Sequence, residues 1–297
     1  MRIIFLLSVI IRNFLTVKIK KAVMKEKILL ALFIMIIAAS VNSCKDKDSV
    51  TNPDSTNSGD KIVAPAGYKL VWHDEFDSSA LDETKWNYEV NGNGGGNNEL
   101  QYYTDSPKNC FIEDSCLVIQ ALKENYLGKE YTSARLNSND KGDWKYGRFE
   151  ARAKLPYSQG LWPAIWMLPT DWVYGGWPAS GEIDIMEELG QEANKVYGTV
   201  HYGTPHQQQG GNYTLSNGYF LSDFHVFACE WDSTSISFFV DNTKYFTAHI
   251  SKPFDQRFHF VLNVAVGGNW PGNPDYNSIF PQRMTIDYVR VFQKTDN

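Results

Sequence analysis

From residue 67 onward, short runs of alternating or continuous apolar residues are separated by Gly, Asn, Asp and Pro, and no stretch sustains a helical period. Segments 69–72, 117–121, 147–154, 164–168, 182–187, 196–202, 225–231, 235–240, 258–266 and 284–293 read as strands. Asp241-Asn242 supplies a tight turn between strands. Many short strands at regular spacing over about 230 residues predict one antiparallel all-β sandwich or barrel, with no internal repeat and no second folded unit.

The N-terminal part has a different pattern. Met24-Lys25-Glu26-Lys27 precedes an apolar run over 28–39, and Val41-Asn42-Ser43-Cys44 follows as a small-residue processing region. A charged start, a short apolar core and a cleavage site describe an export signal, since a membrane span needs roughly 20 apolar residues. Cys44 gives it the form of a bacterial lipoprotein signal, with a lipid anchor at that cysteine on an outer membrane and simple secretion as the alternative. Residues ahead of Met24 add a second basic and apolar stretch that no export signal requires, so Met24 is the expected start. The expected organisation is therefore a signal over 1–44, a polar tether over 45–64 and a folded domain over 65–297. The tether, rich in Lys, Asp, Ser, Asn and Thr, has too few apolar residues to form a core.

A net charge of −6 argues against nucleic acid as a partner. Cys110 and Cys116 flank Glu113-Asp114-Ser115, a turn that would let them face each other and form a disulfide in an oxidising compartment. Cys229 lies in an apolar strand and is expected in the core, and the cysteine spacings fit no zinc site.

Chemistry concentrates in Gly181-Glu182-Ile183-Asp184-Ile185-Met186-Glu187-Glu188. Alternation puts Glu182 and Asp184 on one face and Ile183 and Ile185 on the other. Glu187 is out of phase by one residue. A β-bulge near Met186 would return it to the side of Glu182 and Asp184; without the bulge, Glu188 takes that phase. Paired carboxyls on one wall are the minimal equipment for cleaving a glycosidic bond.

Aromatic residues make up 14% of the chain, with nine tryptophans. Trp72, Trp86, Trp144 and Trp231 read as core residues. Trp162, Trp166 and Trp177 lie upstream of the acidic strand, on segments expected to border it, and an indole face suits the C–H face of a pyranose.

The acidic motif, together with Trp72-His73-Asp74-Glu75-Phe76, Asn97-Asn98-Glu99-Leu100-Gln101-Tyr102-Tyr103, Thr132-Ser133-Ala134-Arg135, Leu161-Trp162-Pro163-Ala164-Ile165-Trp166-Met167 and Val266-Gly267-Gly268-Asn269-Trp270-Pro271, resembles glycoside hydrolase family 16. Within that family the chain is similar to the bacterial laminarinases, endo-β-1,3-glucanases. The resemblance implies a β-jelly-roll sandwich of two curved antiparallel sheets with a cleft on the concave face. It implies Glu182 as nucleophile, Glu187 as general acid and base, and Asp184 as the residue that tunes them, in a retaining mechanism. It suggests Asn98, Arg135, Trp162, Trp166, Trp177, His201 and Trp270 as substrate contacts. No catalytic cofactor is implied, but many members carry a structural calcium, for which Asp287 and Glu75 are the candidate carboxylates.

The expected activity is exported, monomeric hydrolysis of internal β-1,3 bonds in laminarin-like glucans, extending to mixed β-1,3/1,4-glucans. Two alternatives stand beside it: a galactan-active relative of agarase or carrageenase type, and a surface lipoprotein that binds glycan without cutting it. A sulfated galactan would call for a basic cleft, whereas the segments around Trp162, Trp177 and Trp270 are rich in Gly, Pro and Asn. A binding module would have no need of paired acids.

Overall fold

The computed structural model describes residues 62–295; the expected signal, the anchor cysteine and the tether up to residue 61 lie outside the described residues. In chain order the strands are β1 (Tyr68–Asp74), β2 (Asn87–Tyr88), β3 (Gln101–Tyr103), β4 (Cys110–Glu113), β5 (Cys116–Tyr126), β6 (Lys129–Ser133), β7 (Arg135–Asn137), β8 (Asp143–Trp144) and β9 (Gly147–Lys154). There follow β10 (Leu161–Pro169), β11 (Glu182–Glu188), β12 (Lys195–Tyr202), β13 (Gln207–Thr214), β14 (His225–Trp231), β15 (Ser235–Val240), β16 (Thr243–His249), β17 (Phe258–Val266) and β18 (Gln282–Lys294). No helix occurs among the described residues.

Two sheets carry these strands. One runs β16-β15-β14-β9-β18-β5-β6-β3, with β1 on β18 and β4 on β5. The other runs β13-β12-β11-β10-β17-β7-β2, with β8 on β17. Pairing is antiparallel except between β3 and β6. This is the sandwich of the jelly-roll type expected above. Its interior is written by side chains that alternate inward from both sheets, with Phe260, Phe149, Trp231 and Phe258 linked in that order by successive ring contacts. Burying each such ring contributes about 1.5–3 kcal/mol relative to exposure.

All the segments expected as strands are strands. Those not anticipated are the two- and three-residue pairings β2, β3, β7 and β8, together with β4, β6, β13 and β16. The last two are sheet edges. β13 reads Gln207-Gln208-Gln209-Gly210-Gly211-Asn212-Tyr213-Thr214 and is buried on neither face, so no apolar alternation marks it. Asp241 and Asn242, with φ of 47° and 65°, close β15 onto β16 in the left-handed region that two-residue hairpins need.

The proposed Cys110–Cys116 bridge is not formed. Cys110 pairs with Ile119 and Cys116 with Glu113, so the two cysteines are out of register, and Cys110 is a buried free thiol. Cys229 is a buried free thiol in the core, as expected. Trp86 and Trp231 are buried, and their indole N–H groups donate to Asp74 Oδ2 at 2.8 Å and to the Phe254 carbonyl at 3.0 Å. Trp72 and Trp144 pack half-buried against the same core.

Candidate active site

The acidic strand is irregular at the expected position. Along β12, Asp184 pairs with Thr199 and Glu187 with Tyr197, so three steps on β11 match two on β12. Along β10, Trp166 pairs with Asp184 and Ile165 with Met186, leaving Ile185 as the extra residue. Ile185 and Met186 are both buried. Their insertion changes the phase of the strand, and Glu187 lines the same cleft as Glu182. Glu188 lines neither half of that cleft. It is wholly buried, and both its carboxyl oxygens lack a hydrogen-bond partner among the described residues.

The cleft crosses the second sheet and divides at β11. On the β12–β13 side it is a cavity of about 760 Å³ bordered by Tyr197, Thr199, His201, His206 and Trp270. On the β10–β17 side it is about 270 Å³, bordered by the 95–99 loop, Arg135, Trp166 and Asn263. Glu182, Glu187, Trp162 and Trp177 border both halves, so the acids stand at the middle of an elongated trough.

Three carboxyls share this wall, and their surroundings differ. Trp177 Nε1–H donates to Glu182 Oε2 at 2.9 Å, and His201 Nε2 lies 4.0 Å from Glu182 Oε1. Burial, then the charge of Asp184, pushes Glu182 up to about 8, while His201, the Trp177 bond and Arg135 act in the opposite direction. Burial also raises Asp184, whose Oδ2 is 3.2 Å from His201 Nε2. Glu187 is raised well above the ordinary carboxyl range by burial and then by the charges of both Asp184 and Glu182. A hydrogen bond from Trp162 Nε1–H to Glu187 Oε1, at 2.9 Å, and the more distant His201 only partly offset this. Three neighbouring carboxyls, Asp184 and Glu187 buried and Glu182 partly so, cannot all ionise near neutrality. The one with the most donor and cationic support is Glu182, and the one under the greatest negative pressure is Glu187.

The cleft tryptophans therefore act by their edges as well as their faces. Trp162 and Trp177 direct indole N–H groups at the two glutamates, and Trp166 donates to Asn263 Oδ1 at 2.7 Å. Trp270 stands edge-on to Trp162 and Tyr197, with centroid separations of 5.5 and 5.0 Å. Behind Trp166, Asn263 donates to Tyr103 Oη at 3.2 Å, and that hydroxyl donates to Glu99 Oε2 at 3.1 Å. Glu99 is packed under Gly95, where a Cβ would fall 2.3 Å from Glu99 Oε1, so any side chain at this position, held at φ 56°, would have to displace the carboxylate.

Some suggested contacts fall elsewhere. Asn98 is exposed, at φ 58°, with its amide donating to Asn269 Oδ1 at 2.9 Å; its neighbour Asn97 borders the cleft instead. Arg135 borders the cleft, but its charge partner is Glu89, with Nε 3.0 Å from Oε2 and imperfectly aligned for a hydrogen bond. Its guanidinium lies over Trp166, 4.7 Å from the ring centroid, and so supports that ring from beneath. Sequence reasoning missed Asn97, Glu99, Asn263 and His206. Glu99 stood within a quoted motif, whereas His206 had no pattern to mark it.

The calcium expectation does not fit the residues named for it. Both oxygens of Glu75 engage Arg290, at 2.9 and 2.7 Å, and Asp287 Oδ2 is 2.8 Å from Arg152 Nη1. Guanidinium groups already neutralise these carboxylates and would repel a cation. The described residues contain one grouping of three metal-capable side chains, Glu182, Asp184 and His201, with one atom from each within 4.8 Å of the others. We assign no ion there, because the contacts described above already engage all three.

Comparison with known proteins gives a concordant picture. The model of glycosyl hydrolases family 16 matches residues 82–290. The chain is 45% identical over 249 residues to a beta-glucanase of Rhodothermus marinus, a match covering 76% of this chain and 85% of that protein. It is 40% identical over 263 residues to glucan endo-1,3-beta-glucosidase A1 of Niallia circulans, covering 78% of this chain and 39% of that longer protein. The crystal structure of the laminarinase catalytic domain from Thermotoga maritima superposes with a TM-score of 0.73 at 43% identity, over 77% of this chain and 99% of that one.

Proposed function

The chain belongs to glycosyl hydrolase family 16, and from that premise we propose that it hydrolyses internal β-1,3-glucosidic bonds of laminarin-like glucans by double displacement. The observation that carries the mechanism is the bulge at Ile185–Met186, which brings Glu187 to the same cleft as Glu182, where both border each half of the trough. Glu187, kept protonated by burial and by its carboxylate neighbours, gives its proton to the glycosidic oxygen as the C1–O bond breaks. Glu182, whose anion is supported by Trp177, His201 and Arg135, forms the new bond to C1. Water then attacks C1, Glu187 takes the proton from that water, and the Glu182–C1 bond breaks. Two inversions give net retention. Asp184 supplies negative charge to both partners and needs no proton transfer of its own. The reaction calls for no cofactor.

A neutral glucan suits the trough better than a sulfated galactan. Its border carries Glu99, Glu182, Asp184 and Glu187 against one arginine, Arg135, which is already compensated by Glu89. A polyanion would meet this wall at a cost. The test is to incubate the enzyme with laminarin, lichenan, agarose and carrageenan, sizing the products and following anomeric configuration by NMR at early times. Laminarin should yield a ladder of oligosaccharides whose new reducing ends appear first as the β-anomer. Release from agarose but not laminarin would overturn the substrate assignment, and an initial α-anomer would overturn the mechanism.

A further inference from the structure

His206 follows β12 on the loop leading into β13, exposed and unmarked by any motif, yet both of its ring contacts lead to the acids. Its Nε2 is 2.9 Å from His201 Nδ1. The two imidazole centroids are 5.1 Å apart with the planes 19° from parallel. That separation is close to the N···N distance plus one ring radius on each side, so the rings lie edge to edge in nearly one plane. This is the arrangement of an in-plane N–H···N bond, not of a face-to-face stack. On its other side His206 meets Trp177 at 5.1 Å, and Trp177 is the donor to Glu182.

We infer that His206 is a positioning residue for Glu182 and Asp184, fixing the proton arrangement at Asp184 through His201 and bracing, through Trp177, the indole that donates to Glu182. The inference rests on the catalytic reading of those acids given above. A neutral imidazole has one donor and one acceptor nitrogen, so the partner at one nitrogen sets the role of the other. When Asp184 is ionised, His201 Nε2–H points at Asp184 Oδ2, which leaves His201 Nδ1 as a bare acceptor. His206 Nε2–H then donates to it. When Asp184 is protonated, each proton moves one bond outward and His201 Nδ1–H donates to His206. Only these two arrangements satisfy both contacts with neutral rings, and His206 excludes the mixed ones. The 3.2 Å contact between His201 and Asp184 is imperfectly aligned, as catalytic contacts commonly are before substrate tightens them. The titratable groups facing the histidine pair are Glu182 and Asp184 on β11, with Glu187 beyond them and Arg135 on the far side of the cleft.

The test compares His206→Phe, which keeps a ring against Trp177 but removes both nitrogens, with His206→Gln, whose amide restores a donor to His201. Protein carrying 15N-labelled histidine is examined by NMR, with the His201 signals identified by their loss in His201→Gln. The wild type and His206→Gln should show one dominant His201 tautomer, and His206→Phe should show averaged ring-nitrogen shifts. With laminari-oligosaccharides, His206→Phe should lower kcat about tenfold, the rate equivalent of one hydrogen bond, and change KM less than about twofold. His206→Gln should recover most of that loss. An unchanged His201 tautomer in His206→Phe, or a loss confined to KM, would overturn the inference. Because the tautomer is read without turnover, that failure is distinct from full activity in Glu182→Gln or Glu187→Gln, which would instead overturn the catalytic reading.

Discussion

Glu187→Gln is expected to lower kcat on laminarin about a thousandfold, within the range that general acid–base groups contribute, whereas Glu188→Gln is expected to leave it within about twofold of wild type. The two residues are adjacent and chemically identical, and only the bulge separates their fates. Glu187 meets Glu182 and Asp184 in the cleft, while Glu188 is wholly buried and lines neither half of it. The loss in Glu187→Gln should shrink on an aryl glucoside whose leaving group needs no proton, because the missing step is protonation of the departing oxygen. Steady-state kinetics on both substrate types check this. A large loss in Glu188→Gln with an active Glu187→Gln would reverse the assignment.

Glu188 has a second consequence, for stability. Its buried carboxyl has neither oxygen partnered among the described residues, and burial raises its proton affinity well above the ordinary carboxyl range. Leaving such a group unsatisfied costs about 1–3 kcal/mol even when neutral. Glu188→Met, which keeps the length and flexibility of the side chain and removes the oxygens, should stabilise the protein by a similar amount. At about 2–4 °C per kcal/mol for a domain of this size, the melting temperature should rise measurably.

The sign of the pH dependence follows from the raised proton affinity. Below the ordinary carboxyl pKa of 4.5, Glu188 is protonated in both folded and unfolded chains, and its titration contributes nothing. As the pH rises above that value the unfolded chain releases the proton and the folded chain keeps it, so stability is lost up to the folded pKa. The advantage of Glu188→Met should therefore be larger at pH 8 than at pH 5. The variant should still lose some stability with pH, because Glu182, Asp184 and Glu187 are raised as well. Denaturant unfolding at the two pH values measures this. A variant less stable than wild type at both values would show that Glu188 contributes a contact that the geometry does not reveal.

These two residues also show what a single chain discloses. The central strands were legible because burial on one or both faces imprints an apolar pattern, as in β17, where every residue is buried. Even the bulge could be anticipated, since three acids on one strand are chemically useful only if the phase slips. Edge strands such as β13 left no pattern because neither face is buried. Contacts between residues distant in sequence were the least legible. Arg135 was expected to contact substrate, and its charge is instead met by Glu89, far from it in sequence. Asn98 and Asn97 are adjacent in one motif, and only a left-handed backbone turn decides which of them faces the cleft. The indole edges of Trp162 and Trp177 are used for hydrogen bonds to Glu187 and Glu182, which the expectation of flat stacking surfaces did not contain.

The central claim is that the bulge divides the roles between Glu182 and Glu187. Chemical rescue by azide, using Glu182→Ala, Glu187→Ala and Glu188→Ala on a dinitrophenyl β-laminaribioside, tests it most directly. Azide should replace the missing nucleophile in Glu182→Ala and give the α-glycosyl azide. In Glu187→Ala it should intercept the covalent intermediate and give the β-glycosyl azide, while Glu188→Ala should hydrolyse the substrate as wild type does. A β-glycosyl azide from Glu188→Ala, with no rescue of Glu187→Ala, would contradict the account.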